Sequence, residues 1–339
     1  MGQPCSILRY MNHDRLSSEL VRALRGARSQ ATLNRRLSRS SNVAHAWERG
    51  SRSPRASDFF KLARLNRVDV ARVLLAFATT SETVPKRTLF DARATATWLN
   101  ALARGRSHSE LARAVGRDRN TIARWLNGDT EPRLPDLLRF VDATTQRMLD
   151  FVAEFVVPRS LDSVRPIWSD LERQRQLAYD MPWAHAVLRA LELDAHEELP
   201  AQLSESVAAR IGIAPDLAEA CLKALAASGQ IRRRNGHWTL TRILAVDTRD
   251  NPEGNLRLKR HWAQVGVERL AGAALPDGSQ YSYNLFAVSE DGLQRIRQAH
   301  LQYYERVRAI VAECQLPTRL ALVNIQLLPL DAGTAFRQQ

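Results

Sequence analysis

The strongest constraint on this chain is that part of it occurs twice. Shifting the sequence by 78 residues aligns 23–58 with 101–136 without a gap, so that "SNVAHAWERG" at 41–50 lies over "RNTIARWLNG" at 119–128. The matched pairs include Leu24/Leu102, Ser29/Ser107, Leu33/Leu111, Arg39/Arg117, Asn42/Asn120, Trp47/Trp125, Gly50/Gly128, Pro54/Pro132, Arg55/Arg133 and Asp58/Asp136. Any fold for this chain must contain the same local unit twice.

Within each copy apolar residues recur four apart, Leu33 with Leu37 and Leu111 with Val115, which sets each pair on one face of a short helix. In the second copy Gly116 follows, where a sharp turn needs positive φ, and Asp118 stands where its carboxylate can cap a helix over 119–126. Ile122 and Trp125 then face inward, while Arg119, Asn120, Ala123 and Arg124 face solvent. Gly128 ends that helix, and Pro132 and Pro135 punctuate the stretch before a further helix at 134–142. The first copy carries Ser38 where the second has its turn glycine, and Ala44 where the second has Ile122.

This order and spacing resemble the helix-turn-helix domain of the phage-repressor family (Cro and repressor-like, XRE-type). The stretches that carry the likeness are "SQATLNRRLSRSSNVAHAWERGSRSP" at 29–54 and "SHSELARAVGRDRNTIARWLNGDTEP" at 107–132. The resemblance implies five short helices per copy, the third of which reads base edges in the major groove. It implies base-reading roles for Ser41 and Asn42 in the first copy and for Arg119, Asn120 and Arg124 in the second. The chemistry agrees, since Arg can donate two bonds to guanine and Asn can pair with adenine, each contact discriminating by about 1–3 kcal/mol. Phosphate contacts are implied for Gln30, Arg39, Ser40, Arg49 and Arg52, and for His108, Arg117 and Asn127.

Charge follows the duplication. Of the formal net charge of +13, residues 1–80 carry +10 (15 Lys/Arg against 5 Asp/Glu) and residues 81–160 carry +3 (13 against 10); the rest balances at 21 and 21. All the excess therefore lies in the half that holds both copies, where it favours a polyanionic partner through counterion release. The base-reading groups and the positive charge do not coincide. The second copy is expected to discriminate sequence and the first to supply mainly phosphate contacts, through Arg35, Arg36, Arg39, Arg49, Arg52 and Arg55.

Breaks are expected at 81–88 and at 156–166, where Pro158 and Pro166 bracket polar residues. A helical connector over 157–199 leads to 200–245, in which Val207 and Ile211 mark a helix, Gly212 a turn, and Leu217, Cys221 and Leu225 a longer helix. Asn235 and Gly236 then join two short strands. Helix, turn, helix, hairpin is the order of a winged helix. Its second helix bears Asp216 and Glu219, which suit burial or protein contact better than DNA. In 246–339, strands at 281–289 and 319–330 are expected around a long helix at 290–314, giving a small α/β domain for dimerisation or sensing. From about 178 onward the chain resembles the C-terminal domain of a bacterial regulator family of unassigned function, on "WAHAVLRALEL", the winged-helix segment and "LALVNIQLLPL".

Cys5, Cys221 and Cys314 suggest neither a disulfide framework nor a metal site, and a cytoplasmic location follows most simply. No run of about 18 apolar residues exists, so no membrane span is expected. His residues are scattered without HExxH, and GxSxG and the P-loop are missing; neither catalysis, nor a cofactor, nor a metal is expected. His185 beside Trp183 is read as a core residue. The expectation is a mainly α protein with two tandem five-helix repressor-like domains (1–80 and 89–156, linked by 81–88), then a winged helix and a small α/β domain. Such a chain is a sequence-specific transcriptional regulator that binds double-stranded DNA as a homodimer, with a small-molecule or protein effector at its C-terminal half. The alternative is a protein-interaction module, such as an antitoxin or the controller of a neighbouring protein, with one copy binding protein.

Overall fold

The computed structural model describes residues 11–39, 41–77, 91–103, 106–193, 200–234, 237–241, 251–272, 278–314 and 317–330. Among them the chain is mainly helical, with sixteen α-helices and one two-stranded sheet. It divides into two compact units. One holds the chain up to 173 together with 288–313; the other holds 174–287 and the chain from 314 onward.

The first unit opens with α1 (His13–Arg25), α2 (Gln30–Arg36), α3 (Val43–Arg49), α4 (Ala56–Leu65) and α5 (Val70–Phe77). It repeats the series as α6 (Ala92–Ala103), α7 (His108–Val115), α8 (Arg119–Asn127), α9 (Leu134–Thr145) and α10 (Met148–Ala153). The 78-residue shift carries each helix onto its counterpart, including α1 onto α6 and α5 onto α10. The duplication thus reaches beyond the residues in which it is legible. Leu20 falls on Trp98 and Phe77 on Phe155, all four buried, so core positions were kept whether the side chain changed, as at the first pair, or stayed, as at the second.

The two repeats share one core. α1 and α4 of the first pack against α9 of the second, and α4 also packs against α6. Phe59, Phe60 and Phe77 meet Trp98, Phe151 and Phe155 in a contiguous cluster with ring centroids 4.8–6.1 Å apart. Such aromatic pairs contribute about 0.5–1.5 kcal/mol each beyond the area they bury. Trp98 satisfies its indole by donating from Nε1 to the Leu74 carbonyl at 3.0 Å. At another point Arg55 and Arg133 form an antiparallel bridge: Ala56 N donates to the Pro132 carbonyl (3.0 Å) and Leu134 N to the Pro54 carbonyl (2.9 Å).

After α10 the expected break at 156–166 is a docked strap. Pro158–Ser160 forms a short 3-10 turn, Leu161 and Val164 are buried, and Ser163 donates from its backbone N (3.0 Å) and its hydroxyl (2.7 Å) to Glu19 of α1. Then comes α11 (Arg165–Asp180).

The second unit contains α12 (Ala184–Leu193), α13 (Pro200–Ile211), α14 (Pro215–Ala227), β1 (Ile231–Arg234), β2 (His237–Leu240) and α15 (Pro252–Leu270). Val187, Leu188, Val207, Ala218, Cys221, Leu225 and Ile231 form its core. Burial holds the Cys221 thiol neutral, pushing its pKa up to about 12. Gly212 turns between α13 and α14 with φ +78°, and β1 pairs antiparallel with β2 from Ile231↔Leu240 to Arg234↔His237. The helix, turn, helix, hairpin order expected from sequence is present. Leu217 is a correction: it is exposed, because the inward stripe of α14 runs through Ala218, Cys221, Leu222 and Leu225.

A second correction concerns the end of the chain. The long helix appears as α16 (Glu290–Glu313), but residues 279–289 and 317–329 form neither helix nor strand. Alternating side chains specify a strand only where a neighbouring strand takes up its backbone groups. The apolar residues here lie on both faces of each segment, and Tyr283, Leu285, Phe286, Val323, Ile325 and Leu328 stay exposed. The expected turn at Asn235–Gly236 and the expected linker at 81–88 lie outside the described residues. No helix among the described residues is long and apolar enough to cross a membrane.

Candidate nucleic-acid interface

In the second repeat, local chemistry fixes two helices at a sharp angle. Ser107 opens α7 with a reciprocal cap, its hydroxyl accepting from Glu110 N (3.3 Å) while the Glu110 carboxylate accepts from Ser107 N (2.8 Å). The Ser107 hydroxyl, which also donates to that carboxylate at 2.8 Å, and then Ser107 N hold the Glu110 carboxyl below its usual range. Gly116 ends α7 in the left-handed region at φ +72°. Asp118 caps α8 by accepting from Thr121 N (2.8 Å) and from the Thr121 hydroxyl (2.6 Å), which depresses its own pKa. A carboxylate at this position also favours the positive end of the helix dipole.

The orientation of α8 follows from its sequence. Ile122, Trp125 and Leu126 are buried against α6 and α7, so Arg119, Asn120, Arg124 and Asn127 are left together on the exposed face. At the far end Gly128 adopts φ +79°, and an added Cβ there would come within 3.3 Å of the Arg93 backbone. A substitution at Gly128 would therefore displace α8 from its support.

Residues 92–145 match the family model for a helix-turn-helix domain. That match covers α6 to α9, the elements that expose Arg119, Asn120 and Arg124, and it points to DNA binding. Residues 166–330 match the model described as a domain of unknown function (DUF4423). No curated protein and no solved structure matches the chain.

The first repeat builds the same angle by other means. Ser29 caps α2 by accepting from Thr32 N at 3.2 Å. Ser38 takes the left-handed conformation of the turn at φ +55°, where its counterpart is glycine. α3 starts at Val43, two residues later than the shift from α8 predicts, so Ser41 and Asn42 precede this helix instead of opening it. The cause is buried Asn34, which stands where the second repeat has Ala112. Its Oδ1 accepts from Ala44 N (3.0 Å) and its Nδ2 donates to Asn42 Oδ1 (3.0 Å), which draws Asn42 into the N-cap. The outward residues of α3 are then His45 and Arg49, with half-buried Ala46 where α8 has Arg124. His45 escaped the sequence reading although its counterpart Ala123 lies on the outward face, because the family likeness points to the residues aligned with Arg119 and Asn120.

The residues expected at phosphates divide into two groups. Arg49, Arg52 and Asn127 are exposed, and His108 is half-buried at the start of α7. Arg39 and Arg117 occupy equivalent positions and make equivalent ion pairs, Arg39 with Asp58 of α4 and Arg117 with Asp136 of α9 (2.7 Å), each tying the turn to the last-but-one helix of its repeat. Their side chains are 42% and 44% exposed, so an outer edge of each guanidinium remains open to a phosphate. Gln30 donates to Glu48 at 2.8 Å, and Glu48 is also gripped by Arg25. Ser40 lies outside the described residues. Between the repeats, Arg39, Val43, Trp47, Arg52, Arg55 and Arg133 line a cleft beside the antiparallel bridge.

Proposed function

We propose that this protein is a sequence-specific, DNA-binding transcriptional regulator in which both five-helix repeats are repressor-like helix-turn-helix modules. The observation that carries the reading is the exposed face of α8, where Arg119, Asn120 and Arg124 stand together on a helix otherwise locked into the core. All three are fork-shaped or amide donors suited to base edges. The positive excess of residues 1–160 supports the same partner. In this reading α8 discriminates sequence, while α3 and the arginines around it contribute mainly phosphate contacts. A second copy of the chain, brought in through the C-terminal half, fits the exposed apolar residues Tyr303 and Val311 of α16.

The test is selection of bound duplexes from a random DNA library by the purified full-length protein, followed by titration of the enriched duplex over salt. An enriched motif whose affinity falls steeply with salt is the expected result. Salt-sensitive binding with no enrichment would overturn the regulator reading and leave non-specific contacts. The second reading, a module that holds a partner protein through one repeat, draws on α3, which presents Ala46 where α8 presents Arg124. Stoichiometric copurification of a protein partner, with weak DNA binding at physiological salt, would favour it.

A further inference from the structure

We infer that a single chain reads a pair of inverted, non-identical half-sites one helical turn apart, its two repeats forming a pseudo-dimer within one polypeptide. The inference rests on the DNA-binding reading of both repeats and goes further in assigning the symmetry and spacing of the site.

The symmetry comes from the bridge. Arg55 and Arg133 are equivalent under the 78-residue shift, as are Ala56 with Leu134 and Pro54 with Pro132. The two hydrogen bonds of the bridge are therefore one bond made twice: the residue after each arginine donates to the residue before the other. An antiparallel bridge of this kind has a local two-fold axis between its central residues. Because the chain on either side folds into the same helices, that axis relates the repeats as wholes. The packing agrees, since α1 against α9 and α6 against α4 are the same contact seen from the two sides, and α4 meets its own counterpart α9. Repeats strung head to tail would make neither reciprocal bonds nor reciprocal contacts.

The spacing comes from chain length. Gly50 ends α3 and Gly128 ends α8, each five residues before the bridging arginine. Five residues span at most about 18 Å, and the bridge itself about 4.5 Å, so these helix ends lie within about 40 Å of each other. Adding half the length of each short helix keeps their centres within about 54 Å. Two helical turns of DNA, about 68 Å, are out of reach, whereas one turn of about 34 Å is within it. The aromatic cluster shared by the repeats fixes the separation, because Phe59, Phe60, Trp98 and Phe151 are all fully buried. Arg52, Arg55 and Arg133 line a cleft beside the bridge, and the bridge lies in the chain midway between α3 and α8, where phosphates between the half-sites would pass.

The half-sites differ because the readers differ. Arg119, Asn120 and Arg124 front one, while His45 and Arg49, preceded by Ser41 and Asn42, front the other.

The experiment uses 40-bp duplexes carrying the sequence enriched by the full-length protein, with the mass of the complex measured alongside protection of the DNA. Two inverted, unlike elements centred about 10 bp apart are expected, with one chain bound for each such pair. Inserting 5 bp between the elements is expected to weaken binding at least 100-fold, and inserting a full turn is not expected to restore it. A single element, an insertion without effect, or two chains occupying one pair would overturn the pseudo-dimer while leaving the regulator reading intact. Absence of any enriched sequence would instead overturn the regulator reading, and the inference with it.

Discussion

The two repeats reach the same backbone by different chemistry, and the difference separates what the fold requires from what the reading face requires. In the second, the joint between reading helix and scaffold is apolar and conventionally capped: Ile122 and Leu126 are buried, Gly116 takes the turn, and Asp118 caps. In the first, Ala44, Ser38 and Glu48 stand at the positions of Ile122, Gly116 and Leu126. The joint there is held by polar groups, with Asn34 bonded to Ala44 and Asn42, and Glu48 bonded to Arg25 and Gln30. Those bonds occupy side chains that could otherwise meet DNA. A hydrophobic joint leaves the polar residues of the second repeat free for recognition.

Four measurements would sharpen or break this contrast. The largest effect is expected from Arg119→Ala combined with Arg124→Ala, which should erase about 100-fold of discrimination at one half-site, while His45→Ala combined with Arg49→Ala should erase about 10-fold at the other and leave the first half-site's preference intact. Fluorescence anisotropy on half-site variants reads both.

Next comes acidity. His13 of α1 is buried where the second repeat has Asp91, and burial first, then the Arg139 guanidinium, pushes its pKa down to about 4. The unfolded chain, with an ordinary histidine near 6.5, takes up the proton first, so stability should decline as pH falls from about 6.5 to about 4. The loss approaches about 3 kcal/mol. His13→Gln should flatten that decline in urea unfolding.

Smaller effects test the caps. Asp118→Ala should lower the urea midpoint through loss of the α8 cap. Asn42→Ala should lower it at least as much, because it also strands the Asn34 amide. Smallest, Ser38→Gly should stabilise by about 0.5–1 kcal/mol by relieving the left-handed strain at φ +55°, seen as a higher urea midpoint.

Much of the second repeat was legible in the sequence. Gly116, Asp118 and Gly128 announce the ends of helices by their own chemistry, and the spacing of Ile122 and Trp125 sets the outward face. The first repeat was less legible because its device, Asn34 drawing Asn42 into a cap, depends on a side chain eight residues away and shortens α3. The pairing of Arg55 with Arg133 was visible as a repeat match but not as a contact, since periodicity says which residues are equivalent and not which ones touch. The strands expected at 281–289 and 319–330 went astray for a related reason: a short apolar run marks a segment that could pair, and pairing needs a partner the pattern does not name.

The shared aromatic core has a consequence for dosage. Two separately folded readers must meet before they can bind as a pair, so at low abundance their joint occupancy of a site grows with the square of their number. Readers fused through Phe59, Phe60, Trp98 and Phe151 meet at an effective concentration set by the fold alone. Occupancy of one pair of half-sites then needs a single chain and rises in proportion to copy number, while a second copy joined through the C-terminal half would serve a second pair.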